Sequence, residues 1–138
     1  MRDEVKIFRR GLIIAVFVFL ISVEVSAQKA TRIEFYKDST GATVSSKLRS
    51  YKDRKVYVVK VRQGQTLKIE QIKDNSAANF ITVSIKNPSG KVVGDSDASC
   101  NNRKEITPTV AGDYTITIYE CQKADAWRGR FRLKVTVK

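Results

Sequence analysis

From Thr31 onward, apolar and polar residues alternate with a period of two. The pattern is plainest at the end of the chain, where Phe131, Leu133, Val135 and Val137 interleave with Arg130, Arg132, Lys134, Thr136 and Lys138. A strand built this way has one dry face and one wet face. Tyr114, Ile116 and Ile118 alternate with Thr115 and Thr117, Ile81, Val83 and Ile85 with Thr82 and Ser84, and Leu67 and Ile69 with Thr66 and Lys68. Val56 to Val61 is almost continuously apolar, which predicts a central strand covered on both faces. Shorter strands are expected over 32–36, 42–48 and 91–93.

Turn chemistry separates these runs. Gln63-Gly64-Gln65 fits a tight hairpin, and Asn87-Pro88-Ser89-Gly90 puts proline and glycine where a type I turn accepts them. Val110-Ala111-Gly112-Asp113 leads into the penultimate strand. The polar stretch 94–104 and the stretch 121–131 read as long irregular connections. With about seven to eight short strands at regular spacing and no helical period, the expected fold is all-β, an antiparallel, jelly-roll-like β-sandwich.

The first residues stand apart from this pattern. Arg2, Lys6, Arg9 and Arg10 precede an apolar run from Leu12 to Ile21, and Val25-Ser26-Ala27 follows. That order is a secretory signal peptide, with an apolar run too short for a comfortable membrane span. Residues 1–27 are therefore read as a leader and 28–138 as one β-sandwich domain, periplasmic or secreted and free of the membrane once cleaved. Removing the leader takes away four Lys/Arg and three Asp/Glu, lowering the formal charge from +12 to +11. Such a surface attracts anionic polymers or an acidic groove on another protein, although most of the cations serve solubility.

Cys100 and Cys121 both lie in the exported part, and the pair is read as one disulfide, worth about 3 kcal/mol in the chain-entropy model. The chain has no histidine, which removes imidazole as base, acid or metal ligand. Asp95 and Asp97 form an Asp-x-Asp, but the glycine and terminal acid of a calcium loop are missing. No metal site and no cofactor are expected. Glu105, Asp113, Glu120 and Asp125 form no acid/base pair that spacing alone supports, and no phosphate-binding glycine loop occurs. The chain reads as a binding protein rather than an enzyme.

The stretch 121–131 carries the only tryptophan, Trp127, beside Lys123 and Arg128. A connection that only turned the chain would be shorter and plainer. Tryptophan, tyrosine and arginine dominate interface hot spots, so Trp127 and Arg128 are candidate anchors for a partner, with Lys123 beside them. Trp127 folded back as a plug over the sandwich end is an equal alternative.

The order Ile33-Glu34-Phe35-Tyr36-Lys37, Ser50-Tyr51, Arg62-Gln63-Gly64-Gln65-Thr66-Leu67, Asn87-Pro88-Ser89-Gly90, Ala111-Gly112-Asp113-Tyr114 and Lys134-Val135-Thr136-Val137 resembles the bacterial inhibitors of g-type (goose-type) lysozyme. It also resembles the broader pre-peptidase C-terminal-like β-sandwich modules of secreted bacterial proteins. The first resemblance implies a g-type lysozyme as protein partner. It also implies a tyrosine before the third strand and basic residues in the last hairpin that enter the lysozyme cleft. Tyr51 matches the tyrosine, and Lys123 and Arg128 stand nearest the basic positions, in a loop that is shortened here and carries Trp127 and Cys121 besides. The second resemblance implies an adhesion or glycan-binding module whose basic face holds an anionic polysaccharide. Nucleic acid is not expected as a partner, since the charge suits it but the leader does not.

The intact mass of protein exported from the full-length chain is expected to match a start at Gln28 and to rise on reduction by the two hydrogen atoms that one opened disulfide takes up. Two thiols already alkylatable before reduction would refute the pairing.

Overall fold

The computed structural model describes residues 28–73, 81–94, 100–121 and 129–138, and the leader expected over 1–27 lies outside the described residues. Nine strands follow one another: β1 Thr31–Arg32, β2 Gly41–Leu48, β3 Arg54–Val61, β4 Leu67–Gln71, β5 Ile81–Lys86, β6 Val92–Val93, β7 Arg103–Ile106, β8 Gly112–Glu120 and β9 Gly129–Val137. They form a five-stranded sheet in the order β1-β3-β8-β5-β6 and a four-stranded sheet in the order β2-β9-β4-β7. Without β1, this is the strand arrangement of an eight-stranded jelly roll, and the all-β sandwich is as expected.

The alternation seen in the sequence is what brings the two sheets together. Tyr57, Val59 and Val61 of β3, Tyr114, Ile116 and Ile118 of β8, and Ile81, Val83 and Ile85 of β5 form one inner face. Leu67 and Ile69 of β4 and Phe131, Leu133, Val135 and Val137 of β9 form the other. Phe35, Ala42, Val44, Val93 and Ile106 close the margins of this core. Each large side chain so buried contributes about 1.5–3 kcal/mol of transfer free energy, far above any single surface contact.

Several expectations change in detail. Consecutive strands lie in different sheets along most of the chain, with β5 and β6 the neighbours that share one. The Gln63-Gly64-Gln65 stretch is therefore not a hairpin but an arch from β3 in one sheet to β4 in the other. The connection between β8 and β9 likewise crosses between the sheets and is not a hairpin loop. Sequence shows a turn signal but not which sheet receives the next strand. The short strand expected over 32–36 shrinks to Thr31–Arg32 and pairs parallel to β3, the one parallel pair described in an otherwise antiparallel fold. Val56 and Val58 are only half-buried, so β3 is not covered on both faces. Strand β7 falls partly inside the stretch read as irregular, because Arg-Lys-Glu-Ile shows charge where an edge strand shows solvent.

The expected turn at Asn87 is present and joins β5 to β6. Gly90 N–H donates to Asn87 O at 2.9 Å, and Asn87 Oδ1 accepts from Ser89 N and Lys91 N at 3.1 and 3.0 Å. The two-residue strands β1 and β6 are the margins of the five-stranded sheet, too short to template pairing with another chain. Arg32 clamps β1 to β8 through two bonds to Asp113 at 3.0 and 2.8 Å. That hydrogen bond, before the simple charge attraction, holds the Asp113 carboxyl below its usual range.

At this end of the sandwich Thr109 stitches two arches together. Its hydroxyl donates to Arg62 O at 2.6 Å and accepts from Gln65 N at 3.1 Å. Its backbone bonds Gly64 N and Gln65 O, each at 2.8 Å. Thr109 is 1 % exposed, so water cannot replace what a substitution removes. Thr109→Val keeps the shape and deletes the hydroxyl, and a stability loss of about 1–3 kcal/mol is expected from the urea midpoint at unchanged slope. An unmoved midpoint would show that the stitch contributes nothing.

Candidate functional site

The opposite end gathers four connections that are distant in sequence. Leu48 at the end of β2 stands across from Gly129 at the start of β9, Arg54 at the start of β3 across from Tyr119, and Ile81 at the start of β5 across from Glu120. The β2–β3 turn, the β4–β5 and β6–β7 links and the β8–β9 connection therefore all emerge together. Tyr51 sits in the first of these.

The Tyr51 turn is held from several directions. Asp53 N donates to Ser50 O at 3.0 Å, while Asp53 Oδ2 accepts from Arg49 N at 2.8 Å and lies 3.6 Å from Lys55 Nζ. Arg54 donates to Asp53 O at 3.0 Å and reaches Tyr51 O at 3.4 Å. Its guanidinium also lies 4.6 Å over the centre of the Tyr119 ring, a cation–π geometry. Gln28 Nε2 donates to Arg54 O, so the start of the domain joins the same knot. Tyr51 is 38 % exposed on this frame.

Arg54 and Tyr119 were not found in the sequence. Tyr119 follows the outward parity of Thr115 and Thr117, and Arg54 opens a strand, but nothing in sequence reveals that the two stand across from one another. The register does so.

Cys100 and Cys121 form the expected disulfide, with Cα atoms 4.6 Å apart. Cys121 is fully buried at the point where β8 ends. Cys100 adopts a left-handed backbone at φ 75°, uncommon for a residue with a side chain, and its N–H donates to Thr82 Oγ1 at 2.8 Å. The next two residues bridge the sheets, Asn101 O accepting from Val83 N on β5 and Asn102 O from Gln71 N, which ends β4. The cross-link thus fixes the start of the β8–β9 connection to a segment already bonded to both layers.

Beneath these loops the core turns polar. Gln71 and Glu120 continue the inward parity of Leu67-Ile69 and of Tyr114-Ile116-Ile118, and both are buried, Glu120 completely. Gln71 Oε1 accepts from Asn102 Nδ2 at 3.2 Å, while Gln71 Nε2 makes no hydrogen bond among the described residues. Burial pushes the Glu120 carboxyl above its ordinary value. Parity is a sufficient signal for both residues.

Lys123, Trp127 and Arg128 lie outside the described residues, as do Asp95 and Asp97. The structure places the two ends of their segment, Cys121 and Gly129, at the same end of the sandwich as Tyr51. Among the described residues no group of three or more Cys, Asp or Glu could hold a metal ion.

No sequence-family model and no curated protein sequence matches the chain. Solved structures do match. The periplasmic inhibitor of g-type lysozyme PliG from Aeromonas hydrophila matches with a TM-score of 0.62 at 15% identity, over 79% of this chain and 96% of that one. The Salmonella Typhimurium PliG gives 0.57 at 18% identity, over 80% and 98%. The pre-peptidase C-terminal domain of a Bacillus anthracis collagenase gives 0.51 at 17% identity, over 80% and 96%. Both resemblances noted in the sequence thus hold at the level of fold.

The raised Glu120 value fixes the sign of a pH effect. A carboxyl whose folded-state value lies above its unfolded one favours folding while protonated, so this contribution is complete below the ordinary value of 4.5 and is lost as pH rises through the folded value. Glu120→Gln is expected to match the parent in stability near about pH 4 and to exceed it increasingly toward about pH 8, measured by urea unfolding. A variant less stable than the parent at the higher pH would show that the charged form is the favoured one.

Proposed function

We propose that the chain is an exported bacterial inhibitor of g-type lysozyme that blocks the enzyme's cleft with the loops around Tyr51. The observation that carries this reading is the shared sandwich, which spans almost all of each PliG structure and about four-fifths of this chain. Further support comes from the end loops: Tyr51 on a bonded turn and a β8–β9 connection tied at its base by Cys100–Cys121. The reading makes the chain a binding protein with no reaction of its own, acting in the periplasm or outside the cell.

The physical case is one of pre-organisation and local charge. A loop already tethered loses less entropy on docking, and more of its contact energy becomes affinity. A glycosidase cleft holds carboxyl groups and flat sugar-binding surfaces, which suit a cation and an aromatic ring. In this reading Tyr51 and Trp127 supply rings, and Lys123 and Arg128 supply charge. The overall positive charge would not steer the protein toward a basic enzyme, so the attraction must be local to the cleft, within about one Debye length of 8 Å.

The test is lysis of bacterial cell walls by g-, c- and i-type lysozymes with the mature protein added. Inhibition of the g-type enzyme is expected, with Tyr51→Ala and Arg128→Ala each weakening it by about thirtyfold, or about 2 kcal/mol, at unchanged melting temperature. Lys91→Ala, at the opposite end, is expected to inhibit as the parent does. Trp127→Ala separates an anchor, which loses inhibition, from a plug, which loses stability. Lack of inhibition of every class would overturn the reading, and full potency of both Tyr51→Ala and Arg128→Ala would overturn the site.

A further inference from the structure

Among the described strands, one sheet edge is long and unguarded. Strands β1 and β6 end the five-stranded sheet with two residues each, and β7 ends the four-stranded sheet with four residues that show Arg103 and Glu105 to solvent. The remaining edge is β2, eight residues long, in unbroken register with β9, without proline and with Lys47 as its only charge. Edges of this length are usually shortened, charged or bent, because their unpaired backbone groups template another strand.

The ladder shows which of those groups are open. Val137 N donates to Thr40 O at 2.7 Å, so even-numbered residues of β2 turn their N–H and C=O toward β9 and odd-numbered residues turn theirs away. Gly41 is already capped, its N–H donating to Ser39 Oγ at 3.3 Å and its O accepting from that hydroxyl at 2.8 Å. Thr43, Ser45 and Lys47 have no such cap among the described residues, and their side chains are exposed. Beside the first half of β2 runs a groove of about 460 Å³, bordered by Glu34, Phe35, Tyr36, Ala42, Thr43 and Val44. Tyr36 is 88 % exposed, the barest large hydrophobic side chain described.

We infer that β2 is an interface for a second copy of this chain, the two β2 strands pairing antiparallel about a two-fold axis at Ser45. In that register Ser45 meets the partner's Ser45, and Thr43 meets the partner's Lys47. The open N–H and C=O groups then satisfy one another, and no like charges stand directly opposite. The half-buried Val44 meets the partner's Ser46 on the inner side and loses its remaining contact with water. The partner's Lys47 arrives beside Thr43, on the border of the groove that holds Glu34 and Tyr36, so a cation meets an acid and an aromatic ring. Symmetry repeats the match. A strand of another protein would have to supply this pattern, whereas β2 supplies it to itself. Arg130, Arg132 and Lys134 on β9 stand one strand from the junction and repel their counterparts. This net repulsion outweighs the one local match at low ionic strength, and it fades as the Debye length falls from about 30 Å at 0.01 M salt to about 8 Å at 0.15 M. The inference does not rest on the inhibitor reading.

The test is analytical ultracentrifugation of the mature protein over a range of concentration and salt. A mass rising toward twice that of the monomer is expected, with tighter association at higher salt. Ser45→Lys sets like charges directly across the axis without touching the core, and is expected to weaken association by about tenfold or more. Ser45→Pro removes an open N–H and no bond of the β2–β9 ladder, and is expected to weaken it likewise while keeping the parent's circular dichroism. Ser45→Cys is expected to cross-link to its counterpart on mild oxidation, since facing residues lie about 5.5 Å apart at Cα, whereas Thr43→Cys, about 14 Å from its own counterpart, is not. A mass that stays monomeric up to about 1 mM would leave the edge to a strand of a different protein and overturn the inference. Unchanged association of Ser45→Lys, or cross-linking as strong at 43 as at 45, would overturn it too. In the lysis assay Ser45→Lys is expected to inhibit as the parent does, so a failure here and a failure of the inhibitor reading are told apart.

Discussion

Every long strand of this domain has one dry face, and two such faces must meet for either to leave water. That requirement shapes the rest. The chain meets it by passing from one sheet to the other between most consecutive strands, so that each new dry face lands opposite the one before. Cross-sheet passage has a geometric consequence: the connections must collect at the two open ends, where they can span the layers. Residues as distant as Tyr51, Cys100 and Cys121 collect at one end for this reason, and the arches at the other end are stitched by Thr109 in the same way.

The strands were legible because a half-buried strand writes its burial into the sequence with a period of two. That signal located β4, β5, β8 and β9, though β4 runs on to Gln71 and β8 extends beyond the alternating run at both ends. It failed where burial and pattern part company. β7 presents Arg103, Lys104, Glu105 and Ile106, yet Lys104 is 1 % exposed, its stem lying beside Gly94 and its strand position facing the core next to Ile69. A long side chain can cover apolar surface with its methylenes, and the letter Lys does not say which part is buried. β3 misled in the other direction, since valines on its outer face made a one-sided strand look two-sided. Partner choice was not legible at all, because a turn residue specifies local φ and ψ and not the sheet that receives the next strand.

The site was legible in its chemistry and only partly in its construction. Tyrosine, tryptophan and arginine stood out as residue types, and the two cysteines paired as expected. The frame beneath them did not stand out. Arg54 matters through three partners at once, the Tyr51 carbonyl, the Asp53 carbonyl and the Tyr119 ring, and each belongs to a relation that only the β3–β8 register creates. An arginine at a strand start reads as a solvated charge until its neighbour across the ladder is known.

The position of the disulfide follows from where apolar packing stops. Along β8 the inward residues run Tyr114, Ile116, Ile118 and then Glu120, and along β4 they run Leu67, Ile69 and then Gln71. The last inward position on each of these two strands is polar, so apolar packing at this end rests on Leu48, Ile81 and Phe131 from the neighbouring strands. Burying a carboxyl and an amide there costs free energy that an apolar pair would have contributed, and the loops above rest on that weaker floor. A covalent tie at Cys121, one residue beyond Glu120, holds the strand end by a means that does not depend on packing. It anchors to the 100–102 segment, whose carbonyls are already bonded to both sheets, so the constraint passes into the body of the domain. Polar groups under a loop cluster and a cross-link at its base are thus two parts of one arrangement: strand ends that leave the apolar core and are still held in place.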